Sequence, residues 1–205
     1  TLTLRLARVA STLSGIEVEG DPQDIAVDDI TFAQLPETTL AAQAGLTLDN
    51  GIACDETLRT SDPHIYAAGD CCSFPHPLFG NKRIRLEAWR NATDQANTAT
   101  GNMLGASKPY TAVPWFWSDQ YDLSLQIAGM PGDGVGKVRR QLSSEAFIIF
   151  HRDASGRLVG ASGIGPGNSI ARDIKLAEML IAKGIKPAAE ARADSAIANK
   201  ALLKG

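Results

Sequence analysis

The sequence is poor in the residues that mark several protein classes. Its three cysteines, Cys54, Cys71 and Cys72, show no C-x-x-C spacing, which argues against a disulfide framework, a zinc site and a thioredoxin-like redox pair. Aromatic residues make up only 6% of the chain, and 20 Lys and Arg against 23 Asp and Glu leave a net charge of -3. Because that balance creates no strong field, we predict neither nucleic acid nor an anionic membrane as a partner.

Long apolar runs and export signals are absent as well. No apolar run approaches the roughly 18 residues that a membrane helix needs. The first 20 residues lack a charged segment followed by an apolar one and a small-residue cleavage site. Together with the cysteine usage, this pattern predicts a cytoplasmic protein in a reducing compartment.

Familiar catalytic motifs are missing too. The histidines at positions 64, 76 and 151 lie far apart, with no serine or cysteine at a recognisable nucleophile elbow, so we predict no hydrolytic triad, no metal site and no catalytic side chain. The stretch "GIGPGN" at residues 163–168 ends on Asn168, where a dinucleotide loop needs a third glycine. We predict a strand-to-helix turn there, with Asn168 as the helix cap.

Short apolar segments predict an α/β fold for the first part of the chain. "TLTLRLARVA" and "SGIEVEGD" alternate like strands, and "DDITFAQ" predicts a buried strand. In "PETTLAAQAGL", Pro36 suits the first turn of a short helix that ends near Gly45. Apolar residues 65–68 predict another strand, ending at Gly69 and Asp70, in a sheet with crossovers. Because ligands bind at the carboxyl edge of such sheets, Asp70 is a candidate ligand contact.

The stretch "EAWRNATDQANTATGNML" at residues 87–104 predicts a helix. Small residues recur at helical spacing, at Ala88, Ala92, Ala96 and Ala99, and form a narrow face that can approach another surface closely. Two interpretations stay open: a tightly packed core helix, or a helix that faces a cofactor.

The composition changes at "GASKPYTAVP", which predicts a linker, and the apolar period then becomes two. Leu123, Leu125 and Ile127 share a face in "DLSLQIAG", and "KVRRQL", "EAFIIFHRD" and "LVGASGI" predict further strands. "NSIARDIKLAEMLIAKG" predicts a helix. Its apolar side is formed by Ile170, Ile174, Ala177 and Ile181. We expect an α+β domain in which helices cover one face of an antiparallel sheet.

Aromatic residues concentrate in "PWFWSDQY" at residues 114–121, next to several polar side chains. Such a cluster is unfavourable in water, but its polar neighbours indicate an edge position. Core packing at a domain junction and contact with a planar ligand or a protein partner are both open interpretations.

Three segments, in this order, resemble a known family: "LRTSDPHIYAAGD", "RIRLEAWRNATDQA" and "VPWFWSDQYDLSLQIAG". With "LAAQAGLTLDNGIACDE", they are similar to FAD-dependent ferredoxin reductases of the putidaredoxin and rubredoxin reductase type, which serve aromatic-ring dioxygenases and some P450 systems. The resemblance covers roughly Pro36 to the carboxyl terminus. It implies that residues 1–112 are the closing part of an FAD-binding, Rossmann-like domain and that residues 113–205 are a C-terminal interface domain.

The resemblance also implies the cofactor contacts. Residues 60–70 match the family's second FAD fingerprint, in which the aspartate hydrogen-bonds the ribityl chain of the flavin. Residues 87–95 match its E-x-W-x-x-A-x-x-Q helix, whose amino end points to the flavin pyrimidine, and the Trp-rich run matches a loop beside the isoalloxazine ring. The cofactor-binding residues implied are Gly69, Asp70, Glu87, Ala88, Trp89, Trp117 and Ser118.

The activity implied is electron transfer from NADH or NADPH through FAD to a ferredoxin or rubredoxin, by a monomer or homodimer. An acidic ferredoxin would prefer a basic docking surface, for which Lys82, Arg83, Arg85 and Arg90 are the candidates; a solvated charged face is the alternative. The chain departs from the family in having no G-x-G-x-x-G segment, so the preference for NADH or NADPH stays open.

Two rival interpretations also remain open. A related flavoprotein, such as a monodehydroascorbate reductase, would share the Gly-Asp fingerprint, although the "WSDQ" run argues against it. A non-catalytic interaction module without nucleotide domains would share the segments but bind no flavin.

Overall fold

The computed structural model describes residues 3–9, 12–19 and 36–186, the first two stretches by their backbone alone. Those two are strands β1 (Thr3–Val9) and β2 (Thr12–Glu19), as the alternating sequence predicts. They pair antiparallel as a hairpin. The predicted strand "DDITFAQ" lies outside the described residues.

A small sheet and two helices form the part from residue 36 to residue 112. Helix α1 (Thr39–Gln43) is followed by strands β3 (Ile52–Ala53), β4 (Cys72–His76) and β5 (Lys82–Arg85), in the order β3-β4-β5. β3 runs parallel to β4, and β4 runs antiparallel to β5 after a single 3-10 turn at Pro77–Phe79. Helix α2 (Trp89–Met103) follows β5, close to the predicted bounds.

The apolar segment before Gly69 is not a strand of this sheet. It pairs back on residues 58–60 through one isolated bridge, Arg59 to Tyr66, and through a hydrogen bond from the Ala67 N–H to the Leu58 carbonyl. The sheet strand is β4, which starts after Asp70. The prediction of a strand over residues 65–68 was therefore wrong, because a local hairpin satisfies that backbone instead.

A five-stranded antiparallel sheet forms the second part. Its strand order is β6-β7-β10-β9-β8. The strands are β6 (Trp115–Gln120), β7 (Leu123–Gly129), β8 (Gly136–Gln141), β9 (Phe147–Arg152) and β10 (Leu158–Pro166), with a 3-10 turn at Pro131–Asp133. Helix α3 (Ala171–Ala182) packs on β7 and β10. The predicted α/β followed by α+β fold class is confirmed.

Helix α3 seals one face of this sheet. All four residues of its predicted apolar side are buried, against sheet residues such as Ile148 and Phe150. Removing such side chains from water is the main favourable contribution to folding. The helix begins after Ile170, and β10 continues to Pro166, so the prediction of Asn168 as the cap was wrong.

In helix α2 and strand β7, the buried side is not the apolar side that the sequence predicts. In α2, Ala96 is exposed, while Asn91, Gln95 and Asn102 are buried with Ala99. Their side chains bind the backbone: Asn91 donates to the Leu86 carbonyl and Asn102 donates to two loop carbonyls. A helix can bury polar residues when each finds such a partner. In β7, Leu123 is exposed and the more buried side is 124, 126 and 128.

The cores of the two parts meet. Phe79, from the turn after β4, packs in the same cluster as Val113, Ala128 and the apolar face of α3. Met130 packs against both this cluster and the one under β4 and β5. The segment predicted as a linker is therefore fixed at Tyr110 and Val113, both of which are buried.

None of the helices in the described residues is long and apolar enough to cross a bilayer. No three side chains among the described His, Cys, Asp and Glu come together as a metal site would require.

Candidate functional site

Gly69 lies where the local hairpin turns towards helix α2. It is buried, has φ +85°, and its N–H donates to Gln95 Oε1 at 2.7 Å. A Cβ at this position would meet Ala92 at 3.4 Å, so the backbone approaches the helix closely. The next residue, Asp70, is exposed at the surface beside the helix.

Arg85 joins the two predicted motifs. Its Nη1 donates to the Asp70 carbonyl at 2.9 Å and to Glu87 Oε1 at 2.6 Å, and its Nε donates to Asn50 Oδ1 at 3.4 Å. The Arg85 and Glu87 side chains are only 10% and 14% exposed, which strengthens the ion pair relative to one in open solvent. The structure thus brings Asp70 and Glu87 together, as two separate sequence segments predict.

The amino end of α2 has no side-chain cap among the described residues. Ala88 is the N-cap, in extended backbone, and the first turn contains no acidic residue. Uncapped N–H groups and the helix dipole make such an end favourable for negative charge. Trp89, the first helical residue, is 73% exposed beside it.

The Trp-rich run forms β6, an edge strand of the five-stranded sheet, and not a loop as the resemblance implies. Trp115 and Trp117 stack with ring centroids 5.2 Å apart, and Trp117 contacts Trp89 edge to face at 6.3 Å. The aromatic cluster therefore joins β6 to the amino end of α2. Because side chains alternate along a strand, Ser118 lies on the opposite face from Trp117, where its Oγ accepts from Gln120.

The four predicted docking cations do not form an unpaired basic patch. Each has a carboxylate partner: Asp133 for Lys82, Asp49 for Arg83, Glu87 for Arg85 and Glu178 for Arg90. Arg83 also donates to the Cys54 and Ser73 carbonyls, which ties β3 to β4. The Lys82 side chain, at 55% exposed, is the one of the four that is mostly open to solvent. All four cations therefore have carboxylate partners that the sequence does not reveal.

The three cysteines are thiols beside this site. Cys54 and Cys72 are buried, the Cys54 thiol donates to the Ile52 carbonyl at 3.5 Å, and Cys71 directly follows Asp70. Burial, more than any neighbouring charge, raises the pKa of the Cys71 thiol above its usual value. A thiol in that state is neutral at pH 7 and a poor nucleophile.

Gln95 and Glu178 are site residues to which the sequence analysis gives no role. Gln95 is fully buried under Gly69, and its Nε2 has no hydrogen-bond partner in the described part of the chain. Glu178 is buried on α3 and binds Arg90. The signal for Glu178 was present, since an acid lies between Ile174 and Ile181 on an apolar helix face.

Two family models and several known proteins match this chain. Residues 7–96 match the pyridine nucleotide-disulphide oxidoreductase family, and residues 115–203 match the reductase C-terminal family. The ferredoxin–NAD(+) reductase component of an anthranilate 1,2-dioxygenase system from Burkholderia cepacia is 38% identical, over 98% of this chain and 49% of its own length. Over almost its whole length, the chain is therefore similar to the ferredoxin reductases.

Solved structures of ferredoxin reductases share the fold of this chain. The ferredoxin reductase from Rhodopseudomonas palustris matches with a TM-score of 0.75 and 30% identity, over 98% of this chain and 49% of that one. A chain of the covalent putidaredoxin reductase–putidaredoxin complex matches with a TM-score of 0.74 and 28% identity, over 83% and 40%. The chain thus spans about half the length of the relatives it matches.

Proposed function

We propose that this chain forms part of an FAD-dependent reductase that takes electrons from NADH or NADPH and passes them to a ferredoxin. The observation that carries the proposal is the junction at Arg85. It holds the Gly69-Asp70 turn against Glu87, at the amino end of the helix whose first residue contacts Trp117. Three segments that lie apart in the sequence, each of which resembles a flavin-binding motif, are therefore adjacent in space.

The residues at this junction suit an FAD. Gly69 admits a close approach, and Asp70 offers an exposed carboxylate that can accept hydrogen bonds from ribityl hydroxyls. The buried Nε2 of Gln95, which has no hydrogen-bond partner among the described residues, would be a donor beneath Gly69. When bound, FAD supplies the two-electron to one-electron conversion that joins a nicotinamide to an iron–sulfur partner.

Each side chain has a defined task in this proposal. Asp70 would hold the ribityl chain, while the backbone N–H groups at the uncapped helix end after Ala88 would stabilise negative charge on the pyrimidine edge. Glu87, itself anionic, would act by fixing Arg85. Trp89 and Trp117 would exclude water from one side of the ring. Ser118 contacts the cofactor only if the opposite face of β6 is also covered, which makes it the weakest member of the predicted set.

The relatives' names support the donor and the partner. A ferredoxin–NAD(+) reductase component and a reductase bound to putidaredoxin both favour a ferredoxin as acceptor and argue against a non-catalytic interaction module. We propose NADH or NADPH as the donor, a cytoplasmic location, and Lys82 as the most accessible of the four predicted docking cations. A rubredoxin partner and a monomeric or dimeric state stay predictions.

The domain division also remains a proposal. We propose a boundary near residue 112, because the strand order changes from the small sheet to the five-stranded sheet there. Residues 113–205 would then form the interface domain. The contact of Phe79 with the second core makes this a boundary between domains that depend on each other.

Substitution of Asp70 tests the proposal. We expect Asp70→Asn to weaken FAD binding about tenfold, since an amide accepts hydrogen bonds less strongly than a carboxylate. The measurement is equilibrium dialysis of the full chain against FAD, followed by the visible absorption of the retained flavin. Glu145→Gln, an exposed carboxylate between β8 and β9, is the matched control and should bind FAD as the wild type does. A wild-type chain that retains no flavin would refute the proposed function.

A further inference from the structure

Arg90, the second residue of α2, contacts three elements of the fold. Its Nη2 donates to Glu178 Oε1 at 2.6 Å and its Nη1 donates to Glu178 Oε2 at 3.2 Å, so the guanidinium binds both oxygens of a carboxylate on α3. Its Nε lies 3.5 Å from Asp94, one turn along α2. Its guanidinium carbon also lies 5.5 Å from the centre of the Trp115 ring on β6.

The pair with Glu178 is fixed in one geometry. Glu178 is 7% exposed, and Lys175 is its other cationic partner at 3.0 Å. Burial by itself would raise the pKa of Glu178, but the hydrogen bonds from Arg90 and Lys175 outweigh it and lower that pKa below its usual range. Glu178 is therefore ionised at pH 7. A buried bidentate pair of this kind specifies orientation more than it adds stability.

Arg90 also contacts the aromatic cluster, through Trp115. The guanidinium lies over Trp115, Trp115 stacks on Trp117 with an interplanar angle of 25°, and Trp117 meets Trp89 at 85°. Trp89 is the residue directly before Arg90. The contacts therefore form a closed circuit that begins and ends on the first turn of α2 and passes through β6.

We propose that Arg90 and Glu178 are a positioning pair that sets the orientation of Trp89 and Trp117 relative to the amino end of α2. The proposal rests on the proposed function, since these two indoles are the ones expected beside the flavin and its ferredoxin partner. Glu178 holds the guanidinium from α3, and the guanidinium holds Trp115 and thus the rest of the cluster. Electron transfer depends on this orientation, although neither residue of the pair contacts the cofactor or the ferredoxin.

This assignment differs from a docking role for Arg90. A ferredoxin carboxylate would have to compete with both oxygens of Glu178 and with Asp94 for the same guanidinium. The Arg90 side chain is only 28% exposed, compared with 55% for Lys82. A cation already paired in this way contributes little attraction to a partner at long range.

Two variants test the pair. Glu178→Gln removes the charge that orients Arg90, and Arg90→Lys keeps the positive charge but loses the planar fork and its stacking surface. In both we expect the near-ultraviolet circular dichroism of the tryptophans to weaken, because it reports fixed aromatic packing. In the flavin-loaded protein we expect kcat/KM for ferredoxin to fall about tenfold, as misplaced groups reduce rate steeply, and dye reduction by NADH to stay within about twofold.

Lys175→Gln is the matched control. The Lys175 side chain is the other cationic partner of Glu178 and is 62% exposed. Removing its charge should leave the tryptophan dichroism and the ferredoxin kinetics unchanged. Wild-type kinetics in Arg90→Lys would overturn the positioning role and support a simple docking charge. Unchanged dichroism in both pair variants would overturn it as well. Failure of the wild type to bind flavin would overturn the proposed function alone, because the dichroism comparison needs no flavin.

Discussion

At the scale of single residues, Gly69 shows why one position in the predicted fingerprint is restricted. Its φ of +85° lies in the region where an L side chain is strained, and its N–H is committed to Gln95 on α2. Any larger residue must either distort this turn or push it away from the helix. The position of Asp70, the next residue, depends on that turn.

We expect Gly69→Ala to lower the free energy of unfolding by about 1 to 2 kcal/mol, the cost of a positive φ for an L residue. Gly101→Ala is the matched control, because Gly101 is inside α2 and an added Cβ would meet nothing closer than Ala106 at 3.9 Å. That change should raise stability by roughly 0.5 to 1 kcal/mol. Urea unfolding of both variants measures the difference, and equal effects of the same sign would contradict the strain argument.

At the scale of elements, His76 connects the end of β4 to the segment between α2 and β6. Its ring nitrogen Nε2 lies 2.9 Å from the Ala112 carbonyl, and Nδ1 accepts from the Leu78 N–H at 3.3 Å. A carbonyl can only accept, so Nε2 carries the proton and the ring is neutral. Burial lowers the pKa of His76 below its ordinary value of 6.5, despite the opposing bond to Ala112.

Stability should therefore depend on pH through His76. When the chain is unfolded this imidazole takes up a proton near pH 6.5, but the folded protein resists it, so the unfolded state binds more protons below that pH. We expect the free energy of unfolding to fall as pH decreases from 6.5 towards about 5. Urea unfolding at several pH values measures how steeply the free energy of unfolding changes with pH. This pH dependence should be smaller in His76→Gln and unchanged in His64→Gln, since His64 is exposed. Equal slopes in the two variants would exclude His76 as the source.

At the scale of the whole molecule, the two parts of the chain depend on each other for their cores. Phe79 belongs by sequence to the small sheet, yet it packs with Val113 and the core that α3 covers. The Arg90–Glu178 pair adds a polar connection between α2 and α3. These contacts indicate that the five-stranded sheet and the small sheet unfold together.

We expect Phe79→Ala to lower the free energy of unfolding by about 3 kcal/mol, as for other buried phenylalanines. The unfolding midpoints of both parts should shift equally. The measurement combines far-ultraviolet dichroism with tryptophan fluorescence, since all three tryptophans lie at α2 or β6. Leu40→Ala, which removes an 80% exposed side chain from α1, is the control and should have little effect. Separate transitions for the two probes would show that the parts fold independently.

Local sequence patterns were sufficient to predict most strands of the five-stranded sheet and helix α3. The strands β8, β9 and β10 and the apolar face of α3 follow from residue type and spacing along the chain, so the sequence pattern predicted them. The order of the three family-like segments likewise identified the reductase family without coordinates. The strand expected at residues 65–68 failed because an apolar run of four is equally compatible with a local hairpin.

The sequence by itself determined the fold class, the family and most of the elements, since these depend on residue type and spacing along the chain. Only the tertiary structure decided the partners of the charged residues: Arg85 with Asp70 and Glu87, and Arg90 with a glutamate 88 residues away. The physical reason is that a polar side chain lowers its free energy with whichever partner the fold brings near. Spacing in sequence does not encode that distance.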